Sequence, residues 1–384
     1  MDRISKLLHL ENNAPCQAIS PPIYQTATFN QHDANAFKYS RVKNPTRDYL
    51  EQQLAILDNA DSAFAVSSGL AAINVILDGL TAQDEVIVDL DFYAGLTSIL
   101  KNHALTRNIK VKQVDLQCIT SLQKAITAKT KIVFCESLSN PLQRICPIHE
   151  IARITQKTGI CLVVDNSLLS SYAFMPLNFG ADIVIQSATK YLSGHADITA
   201  GVIATHCKYH QQIAQTVGRL GCALDPFQAW LLSRSLKTLH LRLQQQHQNT
   251  QMLYQWLIGE QLFSKILYAG AKSSPYGQWL QQNSLTLGCL LSIECSNHSQ
   301  LNRLIEKLKS YFPKTVSFGA VHSSMSHPDS MSHSNVDTLL EISLKVSPYL
   351  LRLSIGCEPI ADIISIFKAF SAGECLAVKT DRSF

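Results

Sequence analysis

The sequence predicts an α/β protein in which a seven-stranded, mostly parallel sheet is covered by helices and followed by a smaller C-terminal α/β domain. Between residues 60 and 205, seven short apolar runs alternate with helical patterns, which is typical of a parallel sheet covered on both faces. Past residue 225 this alternation gives way to a long amphipathic pattern. That change indicates a second, smaller unit of structure.

The predicted strands are short runs rich in apolar residues. They are Ala63–Ser67, Glu85–Leu90, Lys110–Val114, Lys131–Cys135, Gly159–Val164, Ala181–Gln186 and Ala200–Ala204. The helical patterns between them include Ala71–Leu80, Gly95–Leu105, Ser121–Ala128 and Ile148–Lys157. Ligands of such sheets bind beyond the carboxyl ends of the strands, so we expect the chemistry in the residues that follow each strand.

Three segments are predicted along the chain. Residues 1–45 have little periodicity and several prolines, and we expect an extended arm that reaches a neighbouring subunit. Residues 46–230 are expected to form the large domain, and residues 231–384 a linker helix with the smaller C-terminal domain. One long amphipathic helix is predicted at the junction, because five apolar residues follow a 3,4,3,4 spacing. They are Ala229, Leu232, Leu236, Leu239 and Leu243.

Composition and charge argue against several classes of protein. Lys and Arg total 33 against 29 Asp and Glu, a net charge of +4 without basic blocks, so we expect no nucleic-acid partner. No apolar run approaches the roughly 18 residues of a membrane span, and the first residues lack the apolar core of a signal peptide, so we expect a cytoplasmic protein. Eleven cysteines without a C-x-x-C motif predict reduced thiols and no structural metal.

A lysine and an aspartate stand at the ends of two consecutive predicted strands. Lys190 follows a strand through Ser187-Ala188-Thr189, and a lysine at the rim of a buried sheet loses solvation, which favours its neutral, nucleophilic amine. Asp165 ends the strand before it, and a buried carboxylate requires a cationic partner. A protonated pyridine nitrogen is such a partner. This pair is therefore what a pyridoxal phosphate (PLP) site requires.

Two further segments fit a flat phosphorylated cofactor. Ser67-Ser68-Gly69-Leu70 connects the first strand to a helix, where a close-approaching glycine and free N–H groups bind phosphate. Tyr93 follows the second strand, where its ring could stack on the cofactor. A nicotinamide-binding Rossmann protein is not expected, because no G-x-G-x-x-G follows the first strand.

Together these segments resemble a known family over about residues 20 to 372. The matching runs are Tyr39 to Thr46, Ser67-Ser68-Gly69, Tyr93, Ser139-Asn140-Pro141, Asp165-Asn166, Ser187 to His195 and Arg352 to Gly356. The chain resembles the Cys/Met-metabolism PLP enzymes, which comprise cystathionine γ-synthases, cystathionine β- and γ-lyases, methionine γ-lyases and O-acylhomoserine sulfhydrylases. The resemblance implies an aspartate-aminotransferase-like fold (type I). It also implies a homotetramer built from catalytic dimers, with the large domain binding PLP.

By this resemblance, Lys190 forms the Schiff base with PLP and shuttles protons once substrate displaces it. Asp165 is implied as the partner of the pyridinium nitrogen, and Tyr93 as the stacking residue with an acid–base role at the leaving group. The implied phosphate contacts are Ser68, Gly69, Leu70, Ser187 and Thr189, with Tyr39 and Arg41 contributed by the adjacent subunit.

The resemblance also implies the substrate contacts. Arg352 is implied to bind the substrate α-carboxylate, for which a bidentate guanidinium is suited. Ser317 and Asn140 are implied as secondary contacts to the substrate carboxylate or the cofactor ring.

The activity that we expect is cleavage of the C–S bond of cystathionine, as a β- or γ-lyase. A cystathionine γ-synthase or other O-acylhomoserine γ-replacement enzyme, which condenses the acylhomoserine with cysteine, is the alternative. A PLP-binding regulatory protein with residual activity is a remote one.

Two positions depart from patterns in this family. His322 stands where the stretch Ser317 to Ser323 usually carries a glutamate near the distal end of the substrate. The distal amino group is therefore expected to be held differently or not at all. Gly95 stands where methionine γ-lyases carry a distinctive cysteine, which argues against that activity.

Overall fold

The computed structural model describes residues 2–12, 14, 16–31, 36–331, 344 and 346–380. Its larger sheet has seven strands in the order β1-β7-β6-β5-β4-β2-β3, and β7 alone runs antiparallel to its neighbours. The seven predicted strands are confirmed. They are β1 (Ser62–Val66), β2 (Glu85–Asp89), β3 (Lys110–Val114), β4 (Thr130–Glu136), β5 (Cys161–Asp165), β6 (Ile183–Ser187) and β7 (Gly201–Thr205).

Helices cover both faces of this sheet. Along the described chain, the α-helices of this layer and of the C-terminal part are α1 (Arg3–Leu8), α2 (Pro45–Asp58), α3 (Gly69–Leu77), α4 (Ala94–Arg107), α5 (Ile119–Ala125), α6 (Ile148–Thr158), α7 (Ser170–Ala173), α8 (Cys207–Leu220), α9 (Pro226–Leu236), α10 (Leu239–Glu260), α11 (Gly277–Asn283), α12 (His298–Leu308) and α13 (Ile360–Thr380). Apolar residues of α3, α4 and α8 form one core with the sheet. Those of α2, α6, α9 and α10 join the core on the other face. The alternation in the sequence therefore predicted this layering.

The long helix predicted at the junction is two helices. Its apolar spacing is real, since Leu236 and Leu239 are both buried, but Thr238 has φ −113° and ψ 6°, outside the helical region. The Arg242 guanidinium donates to the Ser235 carbonyl on the far side of this break, at 3.0 Å. Apolar periodicity continues across a break whose two ends share one core, so the spacing alone did not reveal it.

The sequence predicted an extended arm over residues 1–45, but the first residues form a helix. They form α1, whose Leu7 packs into the core, and Arg3 donates to the carbonyls of Leu57, Ser171 and Tyr172. Between α1 and α2 the described residues form an isolated bridge from Thr28 to Tyr39. That this segment reaches a neighbouring subunit stays a prediction.

A second, antiparallel sheet lies in the C-terminal part of the chain. Its order is β10-β11-β9-β8, with β8 (Lys265–Leu267), β9 (Leu290–Glu294), β10 (Ser324–Ser326) and β11 (Leu350–Ser354). α12 and α13 pack together beside it, and α13 also contacts α10. No helix in the described ranges is long and apolar enough to cross a bilayer.

Gly201 lies where β7 meets the turn between β1 and α3. A Cβ atom at this position would overlap the Ser68 carbonyl oxygen and approach the Gly69 nitrogen at 2.9 Å. We expect Gly201→Ala to destabilise the protein by about 1–3 kcal/mol, the usual cost of overpacking, as measured by urea unfolding. Gly259→Ala is the control, because a Cβ there meets no atom within 4 Å. Equal stability of the two variants would contradict the prediction.

Candidate active site

A cavity of about 420 Å³ lies at the carboxyl ends of β4, β5 and β6, between the large sheet and β11. It contains ten of the thirteen predicted site residues. They are Ser68, Gly69, Leu70, Tyr93, Asn140, Asp165, Ser187, Thr189, Lys190 and Arg352. The rule that ligands of open α/β sheets bind beyond the strand ends therefore located the site.

Lys190 comes three residues after β6, and its side chain is largely buried in the cavity. Its Nζ donates to Ser317 Oγ at 2.8 Å. Burial, reinforced by the nearby Arg352 guanidinium and opposed by Asp165, lowers the pKa of the Lys190 amine to about 8. Both protonation states of this amine are therefore populated near neutral pH, as a group that accepts and returns a proton requires.

Asp165 ends β5 and faces the same cavity. One of its carboxylate oxygens accepts the Ser167 N–H at 2.9 Å. Burial raises the pKa of Asp165, while the hydrogen bonds from Ser167 and the charge of Lys190 oppose the shift. A buried carboxylate of this kind is stabilised by a cation placed against it, and a protonated ring nitrogen would supply one.

The turn into α3 has the features of an anion site. Ser68 caps this nine-residue helix by accepting the Ala71 N–H at 3.0 Å, and the first N–H groups of a helix have no intrahelical acceptors. A Cβ atom at Gly69 would lie 3.1 Å from Ser187 Cβ, so glycine permits this close packing. Ser187 and Thr189 also line the cavity. Hydroxyl and N–H donors thus converge where a phosphate group would fit.

Tyr93 precedes α4, and its N–H donates to Glu136 Oε1 at 2.6 Å. A Cβ atom at Gly95 would overlap the Tyr93 ring, so the glycine leaves room for the ring in this position. Burial, with the negative charges of Asp165 and Glu136, raises the pKa of the Tyr93 phenol. The phenol is therefore protonated at neutral pH and can donate a hydrogen bond.

Arg352 lies on β11 and is only 2% exposed. It donates to Asn140 Oδ1 at 3.2 Å and to the Ser317 carbonyl at 2.7 Å. Among the described residues, none accepts a hydrogen bond from its Nε. Burial lowers the pKa of Arg352 to about 10, which leaves it charged at neutral pH. A buried guanidinium with a spare donor is suited to a carboxylate from outside the chain.

Three further residues line the cavity and were not predicted as site residues. They are Glu136, Ser167 and Phe318. Glu136 ends β4 and pairs in register with Asp165, so the reasoning that found Asp165 could also have found it. Ser167 accepts the Ser187 N–H at 2.6 Å. The position of Phe318 carried no signal, because its loop has no periodic pattern.

Of the thirteen predicted site residues, three do not line the cavity of this chain. They are Tyr39, Arg41 and Ser317, although Ser317 Oγ accepts from Lys190 Nζ at 2.8 Å. Tyr39 is 44% exposed, and the Arg41 guanidinium carbon lies 5.4 Å from its ring centroid. Arg41 also donates to the Gly218 carbonyl. His322 is exposed and does not line the cavity, so its effect on the distal part of a substrate stays a prediction.

Three buried side chains of α10 donate to the loops around the cavity. Arg242 donates to the carbonyls of Tyr191 at 2.9 Å and Leu192 at 3.2 Å, directly after Lys190. Gln246 donates to the Ala320 carbonyl at 2.7 Å. Asn249 donates to the carbonyls that follow β11, those of residues 356 and 358. One face of α10 therefore contacts three parts of the site. These are the loop after Lys190, the segment that follows Ser317, and the residues that follow β11, the strand that carries Arg352.

Comparisons with known proteins agree with this geometry. The family model for "Cys/Met metabolism PLP-dependent enzyme" matches residues 5–370. A cystathionine β-lyase of Neurospora crassa is 37% identical over 94% of this chain and 79% of its own, and one of Lactococcus lactis subsp. cremoris is 34% identical over 95% and 97%.

Solved structures give the same result. The cystathionine γ-lyase of Lactobacillus plantarum, complexed with L-serine, superposes with a TM-score of 0.92 at 30% identity, covering 97% of this chain and 99% of the other. A cystathionine γ-synthase of Xanthomonas oryzae pv. oryzae, in complex with cystathionine, has the same TM-score and identity, covering 97% and 98%. The chain therefore belongs to the family of PLP-dependent enzymes of Cys/Met metabolism.

Proposed function

We propose that this protein is a carbon–sulfur lyase that cleaves cystathionine by β-elimination. The observation that carries the proposal is the meeting of Lys190, Asp165 and Arg352 in one buried cavity. An amine that can exchange a proton thus lies near a guanidinium that can bind a carboxylate. Two relatives that are 37% and 34% identical to this chain are named cystathionine β-lyase, which supports β-elimination over γ-elimination.

The residues present fit PLP. We assign Asp165 to its ring nitrogen, the α3 N-terminus with Ser187 and Thr189 to its phosphate, and Lys190 to its aldehyde carbon. When bound, PLP supplies an electron sink that makes loss of the Cα proton of an amino acid possible.

The remaining groups act on the substrate. Arg352 binds the α-carboxylate and so fixes the orientation of Cα. Lys190 takes the Cα proton, and Ser317 Oγ, which accepts from Nζ at 2.8 Å, restricts where that amine lies. Asn140 holds the guanidinium through its side-chain oxygen. Tyr93, protonated at neutral pH, donates to the departing sulfur.

The arm and the assembly belong to the same proposal. Tyr39 and Arg41 lie on the surface of their own chain, and we assign them to the phosphate site of a neighbouring subunit in a homotetramer made of catalytic dimers. The division into residues 1–45, 46–230 and 231–384 follows from this assignment, and we expect the enzyme in the cytoplasm.

The second candidate is γ-replacement, in which cysteine displaces the acyl group of an O-acylhomoserine. The likeness to a cystathionine γ-synthase with a TM-score of 0.92 favours it. Both reactions use the same lysine, aspartate and arginine.

The test supplies the purified protein with PLP and cystathionine. We expect homocysteine, pyruvate and ammonia, the products of β-elimination, detected by chromatography and a keto-acid assay. Cysteine with 2-oxobutyrate would identify γ-elimination instead. Formation of cystathionine from cysteine and an O-acylhomoserine, without keto acid from cystathionine, would overturn the lyase in favour of γ-replacement.

Substitution of the lysine tests the mechanism separately. Lys190→Ala is expected to abolish turnover, because it removes the amine that moves the Cα proton. Lys309→Ala is the control, since that side chain is exposed and pairs with Glu306. Turnover by Lys190→Ala at the unsubstituted rate would refute the assigned role.

Glu136 supports the position of Tyr93. Burial, together with the neighbouring Asp165 and Asp91 carboxylates, raises the pKa of Glu136 well above its usual range, which favours its neutral form. We expect Glu136→Gln, which is neutral and keeps the acceptor, to remain within about 3-fold of the unsubstituted kcat/KM. Glu136→Leu leaves the partly buried Tyr93 N–H without its acceptor and is expected to lose about 10-fold, because an unsatisfied donor removed from water costs about 1–3 kcal/mol. Equal losses in the two variants would mean that the charge matters instead.

A further inference from the structure

Phe318 contacts both cationic groups of the cavity. Its ring centroid lies 4.8 Å from Lys190 Nζ and 5.3 Å from the Arg352 guanidinium carbon. Both distances are within the roughly 6 Å over which the electron-rich face of an aromatic ring attracts a cation. The ring is 9% exposed, so water screens these attractions weakly.

The backbone around Phe318 is fixed on both sides. Ser317 accepts from Lys190 through its hydroxyl and from Arg352 through its carbonyl. Gly319 has φ +89° and donates to Ser354 Oγ at 3.0 Å, and a Cβ atom there would lie 2.8 Å from the Tyr191 nitrogen. The backbone of segment 317–319 is therefore held between the lysine loop and β11, which fixes the Phe318 Cα beside the two cations.

The charges around Lys190 explain why such a ring matters. The cavity brings Arg352 from β11, Asp165 from β5, Glu136 from β4 and Tyr93 from the start of α4 around the amine. Tyr93 is neutral at pH 7, and burial raises the pKa of Glu136, which favours its neutral form. Of the charges around the amine, the Asp165 carboxylate raises the pKa of Lys190 and the Arg352 guanidinium lowers it. Tyr191, next to the lysine, packs its ring 5.7 Å from that of Phe318 and is also neutral, because burial raises the pKa of its phenol.

From this arrangement we infer that Phe318 is a positioning residue, whose ring stabilises the protonated Lys190 amine beside the Arg352 guanidinium. It lets the lysine hold a proton in a cavity that contains a second cation. The inference rests on the proposed function, because it assigns this state to the lysine that carries the Cα proton.

The test follows the reaction of Lys190 with PLP itself, which requires no turnover of cystathionine. The full-length protein is stripped of cofactor with hydroxylamine, mixed with PLP, and the rate at which the visible absorption band appears is measured against pH. Only the neutral amine attacks the aldehyde carbon, with loss of water, so the pH midpoint of this rate reports the protonation of free Lys190.

Three variants separate the ring from simple packing. Phe318→Leu removes the ring and is expected to shift the midpoint down by about 0.5 pH units or more. Phe318→Tyr keeps an aromatic face and is expected to retain the midpoint. Phe312→Leu is the control, because Phe312 is fully buried against the rings of Tyr311 and Phe367 instead, and it is expected to lower the melting temperature without moving the midpoint.

The outcomes distinguish the two proposals. An unshifted midpoint in Phe318→Leu, or an equal shift in Phe312→Leu, would overturn the role of Phe318 and leave the proposed function intact. Uptake of PLP with the expected shift but no keto acid from cystathionine would support the role of Phe318 and overturn the lyase. A protein that takes up no PLP at any pH would overturn both.

Discussion

The geometry of the cavity depends on the polar face of α10. Arg242, Gln246 and Asn249 are buried, and each satisfies its donors with backbone carbonyls of a different loop. A buried donor left without an acceptor is costly, so these loops are held at the distances that the three side chains allow. Lys190 and the segment around Ser317, which belong to different parts of the chain, are thereby held against the end of β11 and its Arg352.

The charge balance of the site follows from that arrangement. Burial and the Arg352 guanidinium lower the pKa of Lys190, while Asp165 opposes this shift. Burial also raises the pKa of Glu136, which favours its neutral form. An α-carboxylate bound at Arg352 would offset its charge, which would favour protonation of Lys190 at the step in which, by the proposed function, it takes the Cα proton.

The sequence was sufficient to predict the strands of the large sheet and most of the residues that line the cavity at its edge. Strands buried on both faces are apolar runs, and the polar residues follow at their ends. The sequence was insufficient where contacts are distant in the chain. The break at Thr238 is hidden by an apolar spacing that continues through it, and α1 depends on Arg3 reaching carbonyls of Leu57 and Ser171. Phe318 contacts Lys190 and Arg352 only in the folded protein, where the two sheets lie side by side. No local sequence pattern predicts these contacts.

The groups suited to the cofactor and those suited to the substrate lie in different parts of the cavity. The groups suited to a phosphate and a pyridine ring lie at the edge of the large sheet, on β5, β6 and α3, where the fold itself places them. The groups suited to an amino-acid substrate, Arg352 and the segment around Ser317, come from the smaller sheet and its loops. Proteins named β-lyase, γ-lyase and γ-synthase are all similar to this chain, and the two solved structures superpose with TM-scores of 0.92. The backbone is therefore common to the γ-lyase and the γ-synthase, and we expect the choice among the reactions to lie in side chains other than the lysine, aspartate and arginine that they share.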